Sequence, residues 1–333
     1  MEITENTKVG ELIDSGEFGL FADYFWSYIT EDHRNNTLSS YGFEKCGFVP
    51  ALQRVKALAD GPDGGRDKIL PIYTAQEMYE CHEKDQAKLL HFPATEKNAP
   101  YALIIPGGGF ARQWGLIEGM AIAERLNRHG YACFVLYYRT AQHPVIDKAL
   151  EDVYRAISYL DQNADALGIR RNDYILGGFS AGATLAGEIA SDNLGWHAKN
   201  LPRPRMIFLG YTAERMDLFY QAWAKAPEGS PARLGSAAFL SRLVGENISL
   251  EALEPYCLEH YLSRENCPPL YFVANEDDPV VPFVNSQSLR ARCEELSIPV
   301  RTKFGRVGGH SFGVGDGLEV AGWIEDMLEF LHR

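Results

Sequence analysis

From about residue 86 onwards, short apolar runs alternate with segments whose apolar residues recur every three or four positions. The runs have the length and composition of β-strands and lie at 87–92, 101–105, 132–136, 174–178, 206–209, 270–274 and 300–304. The spacing of an amphipathic helix is shown by Val153, Ala156, Ile157 and Leu160. This alternation predicts an α/β fold, in which helices cover both faces of a mostly parallel sheet. A polar turn at 95–98 predicts that the first two strands form a hairpin.

The first 60 residues show only weak helical patterns. Large aromatic residues are interleaved with them: Phe18, Phe21, Tyr24, Phe25 and Trp26. Such side chains are usually buried against the main body of a protein, and a homodimer interface is the alternative use of this cluster. The turn-rich stretch 60–67 has the composition of a linker. We therefore predict a helical N-terminal extension at 1–67 and a main domain at 68–333.

One long segment interrupts the alternation of strands and helices. About 60 residues, at roughly 211–269, contain no strand pattern. Excursions of this length are usually lids or binding elements, so we predict a helical cap inserted into the main domain. A cap that shapes the substrate site and a flap with a purely structural role are equally compatible with this pattern.

The charge and composition exclude several classes of partner. The chain has 333 residues, 46% of them hydrophobic, and a formal net charge of −13. Nucleic acids and anionic membranes would be repelled by this charge, so we expect neither as a main partner. No apolar stretch reaches 18 residues, the chain starts with acidic and polar residues, and its six cysteines include no Cys-x-x-Cys pair. These features predict a cytoplasmic protein with free thiols.

The sequence Gly178-Phe179-Ser180-Ala181-Gly182 has the pattern Gly-x-Ser-x-Gly, between a predicted strand and a predicted helix. In a sharp strand-to-helix turn the serine hydroxyl stands clear of the sheet, and glycines on either side allow strand and helix to approach. A nucleophilic serine is the functional interpretation, and a glycine-rich turn without chemistry is the alternative.

A serine needs a base to accept its proton and a carboxylate to orient that base. Asp277 and Asp278 directly follow one predicted strand, and His310, flanked by glycines, follows the last strand. Gly107, Gly108 and Gly109 follow the strand at 101–105, where backbone amides can form an oxyanion hole together with an amide after the serine. No phosphate-binding lysine motif follows these glycines, and no histidine and carboxylate spacing suits a metal, so we predict neither a cofactor nor a metal.

Together these motifs resemble the α/β-hydrolase superfamily, specifically bacterial esterases of the acetyl-xylan-esterase-like and hormone-sensitive-lipase-like branches. The resemblance covers about residues 86–333 and rests on five segments: 104–110, 138–139, 178–182, 268–282 and 309–313. Many lipolytic members begin their His-Gly-Gly-Gly motif with a histidine, whereas this chain has Pro106 there. This difference favours acetylated sugars or other small acyl esters over lipids.

The resemblance implies a role for each matching residue. Ser180 corresponds to the nucleophile, His310 to the base and Asp278 to the orienting acid, with Asp277 as the second choice for that acid. The oxyanion donors correspond to the amides of Gly108, Gly109 and Ala181.

The predicted function is therefore a serine carboxylesterase for a small-molecule ester. A peptidase or amidase of the same fold and a non-catalytic binding protein remain as alternatives. Glu118 and Arg112 lie soon after the glycine loop, where they either edge the pocket or are ordinary surface residues.

Overall fold

The computed structural model describes residues 1–25, 29–41, 44–141 and 144–333, without the side chain of Glu44. Its strands are β1 (Ile69–Pro71), β2 (Lys88–Phe92), β3 (Ala99–Ile105), β4 (Ala132–Tyr137), β5 (Ile169–Phe179), β6 (Met206–Gly210), β7 (Leu270–Asn275) and β8 (Val300–Gly305). Across these described residues they form one eight-stranded sheet in the order β1-β2-β4-β3-β5-β6-β7-β8. The strands from β4 to β8 in that order are parallel, and β1 and β2 are antiparallel. The predicted α/β fold class is confirmed.

The predicted hairpin is wrong, although both of its strands are present. Strand β2 pairs antiparallel with β4, for example Leu90 opposite Val135. Strand β3 lies on the other side of β4 and runs parallel to it, with Leu103 opposite Phe134. A short connection keeps two strands near each other but does not require them to pair. The apolar strand β4 comes later in the chain and occupies the place between them. The three-residue edge strand β1 was not predicted, because so short a segment shows no periodicity.

Helices cover both faces of the sheet. The α-helices are α1 (Val9–Ser15), α2 (Phe48–Ala59), α3 (Ala75–Glu80), α4 (Ala121–Arg128), α5 (Ile146–Gln162), α6 (Ala164–Leu167), α7 (Ala181–Glu188), α8 (Met216–Lys225), α9 (Pro231–Val244), α10 (Leu250–Leu253), α11 (Val284–Glu295) and α12 (Trp323–Leu331). Shorter 3₁₀ turns connect several of these, and Leu116–Met120 forms a π-helical turn before α4. Within the described ranges, each helix is too short or too polar to cross a lipid bilayer.

The alternating side chains of the central strands supply two hydrophobic layers. On β3, Leu103 belongs to a core that includes residues of α5, α7, α9 and α11. The next residue, Ile104, belongs to a second core with residues of α1, α2, α4 and α12. Because successive residues of a strand point to opposite faces, a sheet buried on both sides reads as a continuous apolar run. This explains why the central strands could be recognised in the sequence.

The N-terminal helices belong to the second of these cores. Phe18, Phe21 and Phe25 are buried, and the Phe21 ring lies 6.4 Å from that of Phe92 on β2. Trp26, the last residue of the predicted aromatic cluster, lies outside the described residues. The three phenylalanines are therefore used within their own chain and are not available for a dimer interface. The division at residue 67 and the oligomeric state stay predictions.

The segment between β6 and β7 contains helices α8, α9 and α10. Its aromatic side chains pack over the sheet edge that carries the predicted site. The Phe239 ring of α9 lies 6.0 Å from that of Phe110, which follows the glycine loop, and 5.1 Å from that of Phe219 on α8. Val145, before α5, donates a backbone hydrogen bond to the carbonyl of Arg242 on α9. This segment, called the cap below, is therefore packed on the body of the protein.

Candidate active site

Ser180 lies at the sharp turn between β5 and α7. Its backbone angles, φ 52° and ψ −123°, are unusual for a residue with a side chain. Such strain persists only where the surrounding structure holds it, and it is typical of functional turns. A β-carbon on Gly178 would lie 2.1 Å from the carbonyl oxygen of Gly182, and one on Gly182 would lie 2.1 Å from that of Ile105. The two glycines are thus required by the close approach of strand and helix.

The structure brings the three predicted triad residues into one hydrogen-bonded chain. His310 Nε2 lies 3.1 Å from Ser180 Oγ, and His310 Nδ1 lies 2.7 Å from an Asp278 carboxylate oxygen. The side chains of His310 and Asp278 are 11% and 2% exposed. With the proton on Nδ1, the imidazole donates to Asp278 and can accept the serine proton at Nε2.

The two neighbouring aspartates make different contacts. The other carboxylate oxygen of Asp278 accepts the backbone amides of Val280 and Val281, at 2.8 and 2.9 Å. The Asp277 carboxylate instead accepts the amides of Gly308 and Gly309, at distances from 2.8 to 3.2 Å. Asp278 is therefore the carboxylate that contacts the imidazole, and Asp277 holds the loop that presents it.

The predicted oxyanion loop follows β3 at the same edge of the sheet. Gly108 and Gly109 have φ values of 129° and 63°, which favour glycine. Among the described residues, none is hydrogen-bonded to the amide of Gly108, Gly109 or Ala181. Gly108, Gly109 and Ser180 line a common cavity. These amides are therefore candidates to bind a developing oxyanion in that cavity.

Glu118 is a component of the site that the sequence did not assign. Its carboxylate is buried and accepts hydrogen bonds from the Gly107 amide at 2.8 Å, from Tyr211 Oη at 2.9 Å and from Ser311 Oγ at 2.9 Å. Burial raises the pKa of Glu118, while the nearby His310 and these three donors act in the opposite direction.

Glu118 therefore connects the loops after β3, β6 and β8. The Tyr211 ring also lies 4.5 Å from the His310 ring, and Ser311 follows His310 in the chain. The surface interpretation of Glu118 is thus wrong. The sequence did contain a signal for this role, because Glu118 is an acid within the otherwise apolar run 116–122. An acid buried in such a run must have hydrogen-bond partners.

A cavity of about 580 Å³ opens beside Ser180 and His310. Its floor comes from the glycine loop, and the cap supplies one wall through Ala213, Phe219, Gly235, Ser236, Phe239 and Arg242. Trp114, Val280 and Val281 extend the apolar lining. Arg112 is exposed and lines the cavity, so the interpretation that it edges the pocket agrees with the structure.

One group of side chains within the described ranges has ligand atoms close enough to share a metal ion. Glu254, Cys257 and His260 place these atoms within 4.8 Å of one another. The three residues belong to the cap and none of them lines the cavity. They therefore take no part in the arrangement around Ser180.

Comparisons of the sequence with known proteins show which proteins this chain is similar to. Residues 89–195 match the sequence model of the BD-FAE family. The chain is 29% identical over 230 residues to endo-1,4-beta-xylanase B of Butyrivibrio fibrisolvens, covering 66% of this chain and 34% of that protein. It is 26% identical over 246 residues to esterase LipC of Mycobacterium tuberculosis, covering 71% and 59%. An acetylxylan esterase of Xylanibacter ruminicola is 26% identical over 220 residues, covering 63% and 40%. The chain thus spans between about a third and three fifths of these relatives' lengths.

Solved structures show the same fold. An acetyl ester-xyloside bifunctional hydrolase from Caldicellulosiruptor lactoaceticus superposes with a TM-score of 0.64 at 22% identity, covering 79% of this chain and 95% of that chain. The carboxylesterase Cest-2923 of Lactobacillus plantarum gives a TM-score of 0.57 at 20% identity, covering 74% and 91%. The chain therefore has the α/β-hydrolase fold, and two of its sequence relatives are named esterases.

Proposed function

We propose that this protein is a serine carboxylesterase that hydrolyses small esters through an acyl-enzyme intermediate. The observation that carries the proposal is the hydrogen-bonded chain from Ser180 through His310 to Asp278, with distances of 3.1 and 2.7 Å, at the wall of a cavity. The similarity to esterases supports the same reaction class.

In the first half of the reaction, Ser180 Oγ attacks the ester carbonyl while His310 Nε2 takes the serine proton. Asp278 accepts the Nδ1 hydrogen bond and stabilises the imidazolium that forms. The negative charge on the carbonyl oxygen is placed against the amides of Gly108, Gly109 and Ala181. When the tetrahedral intermediate collapses, the C–O bond to the alcohol breaks and His310 returns the proton to the departing alkoxide.

In the second half, water replaces the alcohol and His310 removes one of its protons. The water oxygen attacks the acyl carbonyl as this proton leaves. When the second intermediate collapses, the C–O bond to Ser180 breaks, His310 returns the proton to Ser180 Oγ and the carboxylic acid is released. Both halves use the same base and the same backbone amides.

Small esters, including acetylated sugars, are the substrate class that we propose. The cavity of about 580 Å³ has the size of a site for a small molecule. Pro106 replaces the histidine that opens the glycine motif of many lipolytic relatives. The names of two related proteins, an acetylxylan esterase and an acetyl ester-xyloside hydrolase, refer to acetylated carbohydrate.

The test is hydrolysis of p-nitrophenyl esters from acetate to long-chain acids by the wild type and by Ser180→Ala. We expect turnover of short esters, a burst of p-nitrophenol where deacylation is slow, and a loss of at least about a thousandfold in the variant. Ser241→Ala, which removes a hydroxyl bonded within α9, is the matched control. Full activity in Ser180→Ala would exclude the mechanism. Faster hydrolysis of a matched p-nitroanilide would favour the amidase alternative, and no turnover of either would favour a binding protein.

A further inference from the structure

Two arginines line the cavity beside the triad. Arg112 comes from the loop after β3, and Arg242 comes from α9 in the cap. The Arg242 Nη1 atom lies 3.4 Å from the carbonyl oxygen of Gly109, the last glycine of the oxyanion loop. Positive charge is therefore present close to the place where the ester carbonyl would bind.

This charge differs in sign from that of the chain as a whole, which has a formal net charge of −13. Among the described residues of the cavity wall, Glu118 is the one with a carboxyl group. That group is buried and already accepts hydrogen bonds from Gly107, Tyr211 and Ser311. The cavity wall therefore carries positive charge, although the protein as a whole is acidic.

The charge of Arg112 also acts on Arg242. Burial lowers the pKa of Arg242, and the charge of Arg112 lowers it further. Like charges held near each other at a partly buried site cost free energy, and an anion bound between them would reduce that cost. A guanidinium group has five N–H donors in a planar fork, so it can contact the protein and a ligand at the same time. This fork matches a carboxylate better than it matches a neutral oxygen.

The remaining lining provides room for a ring next to these charges. Trp114, Phe219 and Phe239 give apolar surfaces, and Gly235 and Ser236 keep the facing part of α9 small. Flat apolar walls with a few polar groups are typical of sites that orient a small ring-shaped ligand. A carboxylate attached to such a ring would be within the same cavity as both guanidinium groups.

We propose that the cavity selects esters that carry a carboxylate, and that Arg112 and Arg242 bind this group. The proposal rests on the esterase function proposed above and specifies the substrate class of the same site. Because the net charge of the protein repels anions at long range, the preference depends on these two residues rather than on general attraction.

The experiment compares matched anionic and neutral substrates. In the first pair, 4-acetoxybenzoate carries the charge on the alcohol side and 4-acetoxybenzamide is its neutral partner. In the second pair, the p-nitrophenyl monoester of adipic acid carries the charge on the acyl side and the p-nitrophenyl ester of adipamic acid is its neutral partner. The readout is the ratio of kcat/KM for the anionic substrate to that for its neutral partner. We expect a ratio of about ten or more for at least one pair, since a hydrogen bond to a charged group typically contributes this factor. The ratio should fall in 0.5 M NaCl.

The variants are Arg112→Gln and Arg242→Gln. Each should lower the ratio about tenfold, mainly through KM of the anionic substrate, and Arg112→Lys should restore part of it. Lys225→Gln removes the same charge from an exposed position of the cap that does not line the cavity, and should leave the ratio unchanged.

The outcomes separate the two proposals. Ser180-dependent hydrolysis with equal rates for anionic and neutral partners, or a ratio that does not respond to either arginine variant, would overturn the anion-binding proposal and leave the esterase intact. If p-nitrophenyl acetate is hydrolysed but no anionic member of a pair is, the anion-binding proposal fails and the esterase remains. If p-nitrophenyl acetate and all four paired substrates are left intact, the esterase function itself fails.

Discussion

Glu188 and Glu214 are carboxyl groups buried between α7 and the start of the cap. A β-carbon on Gly187 would lie 2.5 Å from Glu214 Oε1, so this part of α7 packs directly on the second glutamate. Thr212 donates a hydrogen bond to Glu214, whereas neither carboxylate oxygen of Glu188 has a partner among the described residues. Burial raises the pKa of Glu188 to about 8, and burial together with the charge of Glu188 raises the pKa of Glu214.

We predict that Glu188→Gln stabilises the protein at neutral and alkaline pH. The ordinary pKa of 4.5 applies to the unfolded chain, and the folded value is about 8. Above pH 4.5 the unfolded chain loses the Glu188 proton that the folded protein keeps. The free energy of unfolding is therefore highest below pH 4.5 and falls as the pH rises towards 8. At about 1.4 kcal/mol per pH unit, the loss is about 3 kcal/mol by pH 7 and about 5 kcal/mol above pH 8. Glutamine has the shape of the protonated acid and does not ionise.

The assay is urea and thermal unfolding of the wild type and Glu188→Gln at pH 5, 7 and 8.5. At pH 5 the two proteins should differ by less than about 1 kcal/mol. At pH 7 the variant should be more stable by about 3 kcal/mol, which for a chain of this length raises Tm by about 4 °C. Glu228→Gln, at an exposed position in the cap, is the control and should show no such trend. A stability difference that is the same at all three pH values would refute the reasoning.

Three further predictions concern the site. Asp278→Asn should lower kcat/KM about a thousandfold or more. Asp277→Asn should lower kcat/KM less than about tenfold, because an amide oxygen can still accept backbone N–H groups. Equal losses of kcat/KM in the two variants would show that the acid is misassigned. Glu118→Gln should lower kcat about tenfold, because a charged acceptor is lost while the shape is kept, and an unchanged kcat in a folded variant would remove its positioning role. Gly182→Ala, whose β-carbon would lie 2.1 Å from a backbone oxygen, should lose about 3 kcal/mol or more in thermal unfolding, whereas Gly235→Ala, with no atom within 4 Å, should be neutral or slightly stabilising.

The structure corrects the sequence interpretation mainly where residues distant in the chain meet. The hairpin prediction used the short connection between β2 and β3, but the pairing partner of β2 is β4, whose paired residues follow 41 to 49 positions later. Period-two patterning identifies a strand and its buried faces, yet it contains no information on which strand lies beside it. The same limit applies to Glu118, whose partners Tyr211 and Ser311 are 93 and 193 residues away.

What the sequence determined by itself was local or ordered along the chain. Apolar runs marked the buried strands, and Gly178 and Gly182 marked a turn too tight for side chains, because both patterns depend on neighbouring residues. The order of serine, aspartate and histidine along the chain marked the fold family without knowledge of the fold. The family resemblance favoured Asp278 and kept Asp277 as the second choice. Only the tertiary structure shows that Asp278 contacts His310, and that a cap arginine, Arg242, reaches the oxyanion loop. The physical reason is that adjacent residues with the same chemistry differ only in the direction of their side chains. That direction is set by contacts between loops that the packing of the sheet brings together.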